Sequence, residues 1–309
     1  MFARVLTPAL CLSTLTGVFF SSGAIAASSL ELGYDTPAFS DRTLQAGPVR
    51  VSVDYTPKSP GGGDGDNLFY EIYVNDRRVV SDGAEVWMWG EVNLRDLDAD
   101  GVPEVVLNTY TGGAHCCNIH TIYSWRGNEI LRTITYPLDG GGGHFEDLDG
   151  DGTQEFITFD NAFLYAFSSY AGSFPPLIIL SFQEGQWVDV TRQYPERQRS
   201  HAWQAYVRIR DGDTYEVNGA LAGYVAQKIL LGEYRQGWEL MQVHYDRADE
   251  WGLDIYDDGD VVGRYPDYPS ALRAFLIQRG YLTADGRPNL QLDLRDRVVA
   301  ETRSLPTSR

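Results

Sequence analysis

DLDADGVPE, at positions 96–104, places four carboxylates in nine residues: Asp96, Asp98, Asp100 and Glu104. The pattern returns as DLDGDGTQE at 147–155, with Asp147, Asp149, Asp151 and Glu155 in the same places. Two carboxylates about 5 Å apart repel by roughly 3 kcal/mol at an effective dielectric of about 20. Four converging on one point need either a counter-charge or extensive solvation. The alternation D-x-D-x-D lets the side chains converge, and the glycine that follows (Gly101, Gly152) makes the sharp turn. Oxygen-only ligands select a hard cation, and about six to eight flexible contacts favour Ca2+ over Mg2+. Two calcium sites are therefore expected. The first takes the side chains of Asp96, Asp98, Asp100 and Glu104 and the carbonyl of Val102. The second takes Asp147, Asp149, Asp151 and Glu155 and the carbonyl of Thr153. The alternative is a pair of solvated acidic turns. An EF-hand is excluded: its twelfth loop position needs glutamate and its flanks need helices, whereas Leu107 and Thr158 stand there on strand-like flanks.

The repetition extends beyond the loops. Behind the first comes the apolar run Val105, Val106, Leu107; behind the second, the run 156–159. Segment 119–125 turns at Arg126-Gly127-Asn128 into 129–135 and ends at Tyr136-Pro137. Segment 177–182 turns at 183–186 into 187–191 and ends at Tyr194-Pro195. Each unit reads as loop, strand, connection and hairpin, the size of one supersecondary element that buries its apolar face against a neighbour. A hairpin over 70–80 reads as an earlier unit without the acidic loop.

The motif D-L-D-x-D-G-x-x-E followed by an apolar strand resembles the FG-GAP/VCBS-type repeats of β-propeller proteins. The resemblance spans 92–195 and implies a calcium-binding loop joining strands in an exported adhesion or binding module. The chain departs from that family in lacking a Phe-Gly paired with Gly-Ala-Pro. It also shows two clear units where a closed propeller needs roughly four or more blades. The expected fold is α+β. A β-rich region over 27–197, blade-like or an open sheet or sandwich and not a closed propeller, precedes a mainly helical region over 198–309 with a hairpin near 252–265.

Elsewhere, Val49, Val51, Val53 and Tyr55 alternate with Arg50, Ser52 and Asp54, which predicts a half-buried strand. Residues 27–47 read as an irregular lead-in. Ser200, Asn218 and Ser270 are candidate helix caps, with Gly232 and Gly280 as stops and a third helix over 233–245. The tail after Leu292 reads as charged and peripheral.

Arg4, an apolar stretch and Ala24-Ile25-Ala26 read as a secretory signal peptide over 1–26, cleaved after Ala26, so that the product is secreted or periplasmic. Beyond it no run is long and apolar enough to span a bilayer. Cys11 would leave with the signal, making Cys116 and Cys117 the sole intrachain disulfide option, either a stiff turn or a redox switch. A transition-metal site on His115, Cys116, Cys117 and His120 is disfavoured. On a strand Cys116 and His120 would stand about 13 Å apart, and a further ligand such as His144 would be needed.

The formal charge of −18 argues against nucleic acid and anionic membranes as partners and otherwise reads as solubility; the expected partner is an unspecified protein or glycan ligand. No G-x-S-x-G, H-E-x-x-H or P-loop is present. The expected function is an exported calcium-binding β-repeat module; the alternative is a secreted hydrolase, with a glycan among its candidate substrates and calcium in a structural role.

Overall fold

The computed structural model describes residues 28–59, 63–212 and 216–306. The expected signal peptide, its cleavage site and Cys11 lie outside the described residues.

The described residues begin with β1 (Ser28–Gly33), followed by β2 (Phe39–Ala46), β3 (Val49–Tyr55), β4 (Leu68–Val74) and β5 (Arg77–Ala84). Next come β6 (Trp89–Arg95), β7 (Glu104–Tyr110), β8 (Asn118–Arg126) and β9 (Glu129–Thr135), then β10 (His144–Glu146), β11 (Glu155–Phe159), β12 (Leu177–Gln183) and β13 (Gln186–Asp189). The helical region holds α1 (Pro195–Asp211), α2 (Val217–Leu230) and α3 (Tyr234–His244), a hairpin of β14 (Asp254–Asp257) and β15 (Asp260–Arg264), and α4 (Tyr268–Gln278). A last strand, β16 (Val299–Leu305), ends the order. The fold is α+β, with open sheets ahead of a helical region.

β2–β5, β6–β9 and β10–β13 are three successive four-stranded antiparallel meanders. The middle one is widened on both sides: β1 pairs with β6 and β16 with β9. β3 buries Val49, Val51, Val53 and Tyr55 and turns Asp54 outward, as its alternation requires. The β4–β5 turn sits on Asn75 and Asp76, both at positive φ (50° and 60°), the hairpin geometry that matches the twist of the flanking strands.

β7 shows why the middle sheet is the central layer. Val105 and Leu107 join a core with Val51, Ile72 and Val92, while Val106, on the opposite face, joins one with Ile122, Phe156 and Ile178. Burial on both faces explains a continuous apolar run where alternation would mark a half-exposed strand. Each such side chain contributes roughly 1.5–3 kcal/mol of transfer free energy. The second core continues into the helices through Ala205, Leu221, Val225 and Leu272, so the third meander and the helical region share one interior.

α2 is buried on nearly every side. A Cβ at Gly223 would collide with the Phe174 carbonyl oxygen, so only glycine lets the helix seat against the segment leading into β12. Gln227 then ties the layers: its Oε1 accepts from Leu177 N at 2.8 Å and its Nε2 donates to Gln198 Oε1 of α1 at 3.1 Å. No helix among the described residues is long and apolar enough to cross a membrane.

Several local expectations are corrected. α1 starts at Pro195, five residues before Ser200, because a proline's missing N–H and fixed φ suit the first helical turn. Asn218 lies inside α2, and its side chain bonds the backbone of Asp246 instead of capping. Asp267, not Ser270, caps α4, accepting from Ser270 N at 2.9 Å. The lead-in forms β1 and all of β2. The tail is not peripheral: Val299–Leu305 pairs along β9. Its residues are mostly exposed, so no buried periodicity announced the strand.

Candidate metal centre

The two acidic loops occupy the same place in two meanders. Each joins the first strand to the second, β6 to β7 and β10 to β11. Three hydrogen bonds recur position by position. Gly101 N donates to Asp96 Oδ2 (2.9 Å), as Gly152 N does to Asp147 Oδ2 (3.1 Å). Val102 N donates to Asp100 Oδ1 and Thr153 N to Asp151 Oδ1, both at 2.7 Å. Leu97 N donates to Glu104 Oε2 (2.9 Å), and Leu148 N to Glu155 Oε2 (3.1 Å). The ninth-position glutamate thus opens the second strand, is buried, and holds its own loop closed.

Not every expected ligand converges. In the first loop Asp96, Asp98 and Glu104 each bring an oxygen within 4.8 Å of the others; in the second Asp147, Asp149 and Asp151 do so. Asp100 faces a guanidinium, and Glu155 accepts from Leu148 N. Asp96 Oδ1 and Asp98 Oδ1 are buried with no hydrogen-bond partner among the described residues. Such oxygens are costly unless a cation or donor meets them. An orphaned pair of carboxylate oxygens beside a third carboxylate fits a hard divalent ion.

Burial, reinforced by the Asp98 carboxylate, pushes Glu104 up to about 8, against the pull of the Leu97 N–H, Ser124 and Arg126. Glu155 is raised for the same first reason, burial, and the neighbouring Asp149 and Asp151 add to it. Burial and the charges of Glu155 and Asp149 raise the Tyr194 phenol.

Sequence reasoning missed the residues around the acids. Ser124 Oγ donates to Glu104 Oε1 at 3.0 Å. Arg126, the last residue of β8, pairs with Asp98, reaches Asp100 Oδ2 at 2.7 Å and lies 3.7 Å from Glu104 Oε1. Among the described residues the second loop has no such cation; the Tyr194 hydroxyl donates to Asp149 Oδ2 at 3.3 Å. The repeat held the signal: Ser124-Trp125-Arg126 ends the third strand of one meander as Ser181-Phe182-Gln183 ends that of the next.

The loops are neighbours. Gln154 N donates to Leu97 O at 2.9 Å, and a Cβ at Gly152 would lie 3.5 Å from the Ala99 Cβ. Together they line one cleft of about 780 Å³, whose wall carries Asp98, Asp100, Asp149, Asp151, Glu155 and Glu184 against the single base Arg126. That imbalance makes it a cation-attracting cleft.

The cysteine segment lies apart from the acids. Cys116 and Cys117 stand directly before β8 with their sulfurs side by side, where Pro175 and Pro176 stand directly before β12. Thr111 N donates to Cys117 O (3.0 Å), and Cys117 N to Thr111 Oγ1 (2.9 Å), closing the loop. The structure does not gather the histidines around it. His115 stacks on Tyr170 at 4.3 Å, His120 is buried between Phe145 and Phe156, and His144 lies 3.6 Å from the exposed Glu146.

A family model described as the sll0997 C-terminal domain matches residues 196–280, from the start of α1 past the end of α4. The "Probable thylakoid lumen protein sll0997" of Synechocystis sp. is 42% identical over 257 residues, covering 78% of this chain and 76% of that protein. The "Uncharacterized protein y4bJ" of Sinorhizobium fredii is 34% identical over 208 residues, which cover 63% of this chain and 33% of that longer protein. No solved structure matches. The long match with the Synechocystis protein takes in both the strands and the helices, and the chain belongs to the family of the probable thylakoid lumen protein sll0997.

Proposed function

We propose that this is an exported calcium-binding protein whose β meanders are pinned by two Ca2+ ions and present a binding or structural surface. One observation carries the reading. Two loops of identical acid spacing stand side by side at equivalent strand junctions, and the first holds buried carboxylate oxygens without partners among the described residues. Asp96, Asp98, Asp100 and Glu104 would hold one ion and Asp147, Asp149, Asp151 and Glu155 the other, with the Val102 and Thr153 carbonyls in reach of the chain's turn. Bound calcium would supply positive charge, not a reaction step, and would fix the loops relative to the strands they join. The three four-stranded meanders support the likeness to FG-GAP/VCBS-type blades, here in an open arrangement. Export is supported by the lumenal name of the Synechocystis relative.

Calorimetric titration with Ca2+, run beside the Asp98→Ala/Asp149→Ala double variant, tests the proposal. The unsubstituted protein should release binding heat and gain about 2.7 kcal/mol per site at a hundredfold excess over Kd; the variant should do neither. Equal heats, and equal melting temperatures with and without calcium, refute it.

A further inference from the structure

The two loops share an acid pattern but not a counter-charge. We infer that Arg126 is the resident counter-ion of the first loop, that calcium enters this loop by displacing it, and that the second loop is therefore the tighter of two unequal sites. The inference rests on the calcium reading above and goes beyond it, since acid spacing alone would make the two loops equals.

The molecule contains its own control. Arg126 pairs across the strands with Glu129, and Gln183 pairs with Gln186, so these two residues hold the same place in successive meanders. One is a guanidinium and the other a neutral amide. From that place Arg126 engages Asp98, Asp100 and Glu104, three of the four carboxylates of its loop. A cation that needs those oxygens must break charge-assisted hydrogen bonds to reach them. In the second loop the side-chain competitor among the described residues is a neutral phenol, Tyr194, which reaches Asp149 and Glu155 and which a divalent ion displaces far more easily.

Arg126 does not satisfy the first loop. The Asp98 side chain is only 7% exposed, and its Oδ1 has no partner among the described residues; nor does Asp96 Oδ1. A single positive charge answers these acids incompletely, and the buried oxygens it leaves face the place a divalent ion would take. The displaced guanidinium also has somewhere to go. Glu184 lines the same cleft, and the neighbouring Gly185 lies against Arg126, a Cβ there being 3.2 Å from Nε. A side-chain rotation toward Glu184 would keep the charge paired without carrying it out of the cleft.

Calcium titration of the full chain by calorimetry tests this. The unsubstituted protein should show two affinities. Arg126→Gln, which copies the residue of the second meander into the first, should tighten the weaker one by about tenfold, equivalent to about 1.4 kcal/mol, and leave the stronger unchanged. Asp149→Ala should remove the stronger and keep the weaker. Without calcium Arg126→Gln should melt at a lower temperature than the unsubstituted protein, and calcium should raise it by more. Two affinities that are both unmoved by Arg126→Gln overturn the inference while leaving calcium binding intact, as does loss of the weaker affinity in Asp149→Ala. Absence of any binding in the unsubstituted protein overturns the calcium reading itself. If Arg126→Gln does not fold, Arg126→Lys keeps a cation but loses the forked contact; a smaller tightening in the same direction supports the inference, and an unchanged affinity overturns it.

Discussion

Acidification should destabilise this protein measurably through one side chain, His120. The imidazole is buried in β8, edge-on to Phe156 at 4.8 Å and Phe145 at 6.2 Å, opposite Asn108 of β7, and neither ring nitrogen has a partner among the described residues. Its backbone N–H is taken by the Thr135 hydroxyl of β9. Burial alone lowers its pKa to about 4, with no charged neighbour contributing. In the unfolded chain the value returns to about 6.5. The folded pKa is the lower one, so the unfolded state takes up the proton first. Stability is intact above about pH 6.5 and is lost as pH falls toward 4. Linkage over that shift gives a loss of about 1.4 kcal/mol at pH 5.5 and about 2.5 kcal/mol at pH 4.5. Urea unfolding of the unsubstituted protein and His120→Leu across this range isolates the effect, because other titrating groups cancel in the difference. The advantage of the unsubstituted protein over the variant should shrink by those amounts as pH falls. A difference that stays constant from pH 7.5 to 4.5 refutes the claim that the native state holds this histidine neutral by desolvation.

Gln227→Leu should cost about 2–4 kcal/mol, because it orphans the buried Leu177 N–H and deprives Gln198 Oε1 of its donor; thermal melts should fall by several degrees and the variant should retain calcium binding. Intact-mass measurement before and after reduction should show the gain of two hydrogens at Cys116 and Cys117, and Cys116→Ser should abolish that gain.

The acidic loops were legible because their chemistry lies in local spacing, and a duplicated spacing is hard to produce by chance. The inner strands were legible for a related reason. β3 buries one face and alternates; β8 and β9 kept their hairpin turn; β7 and β12 are buried on both faces and read as apolar runs. β1, β2 and β16 escaped because most of their described side chains are at least partly exposed and encode no face. Helix existence was visible in the C-terminal region, and so was the start of α3, but the starts of α1, α2 and α4 were not. Ser270 is itself a good cap, and only the structure shows Asp267 accepting its N–H. Arg126 and Ser124 come to the first loop from strand pairing, not from proximity in sequence. They could be found only by carrying the repeat alignment on to the end of the third strand.

The pairing of β16 with β9 has a consequence for how the protein is made. As the chain leaves the ribosome, β1 is already present to cover the edge of β6, whereas the partner of β9 emerges only after the whole helical region. Until then β9 offers an open row of backbone N–H and C=O groups, the surface most able to recruit a strand from another nascent chain. The slow, non-local closure of this edge also raises the contact order of the sheet.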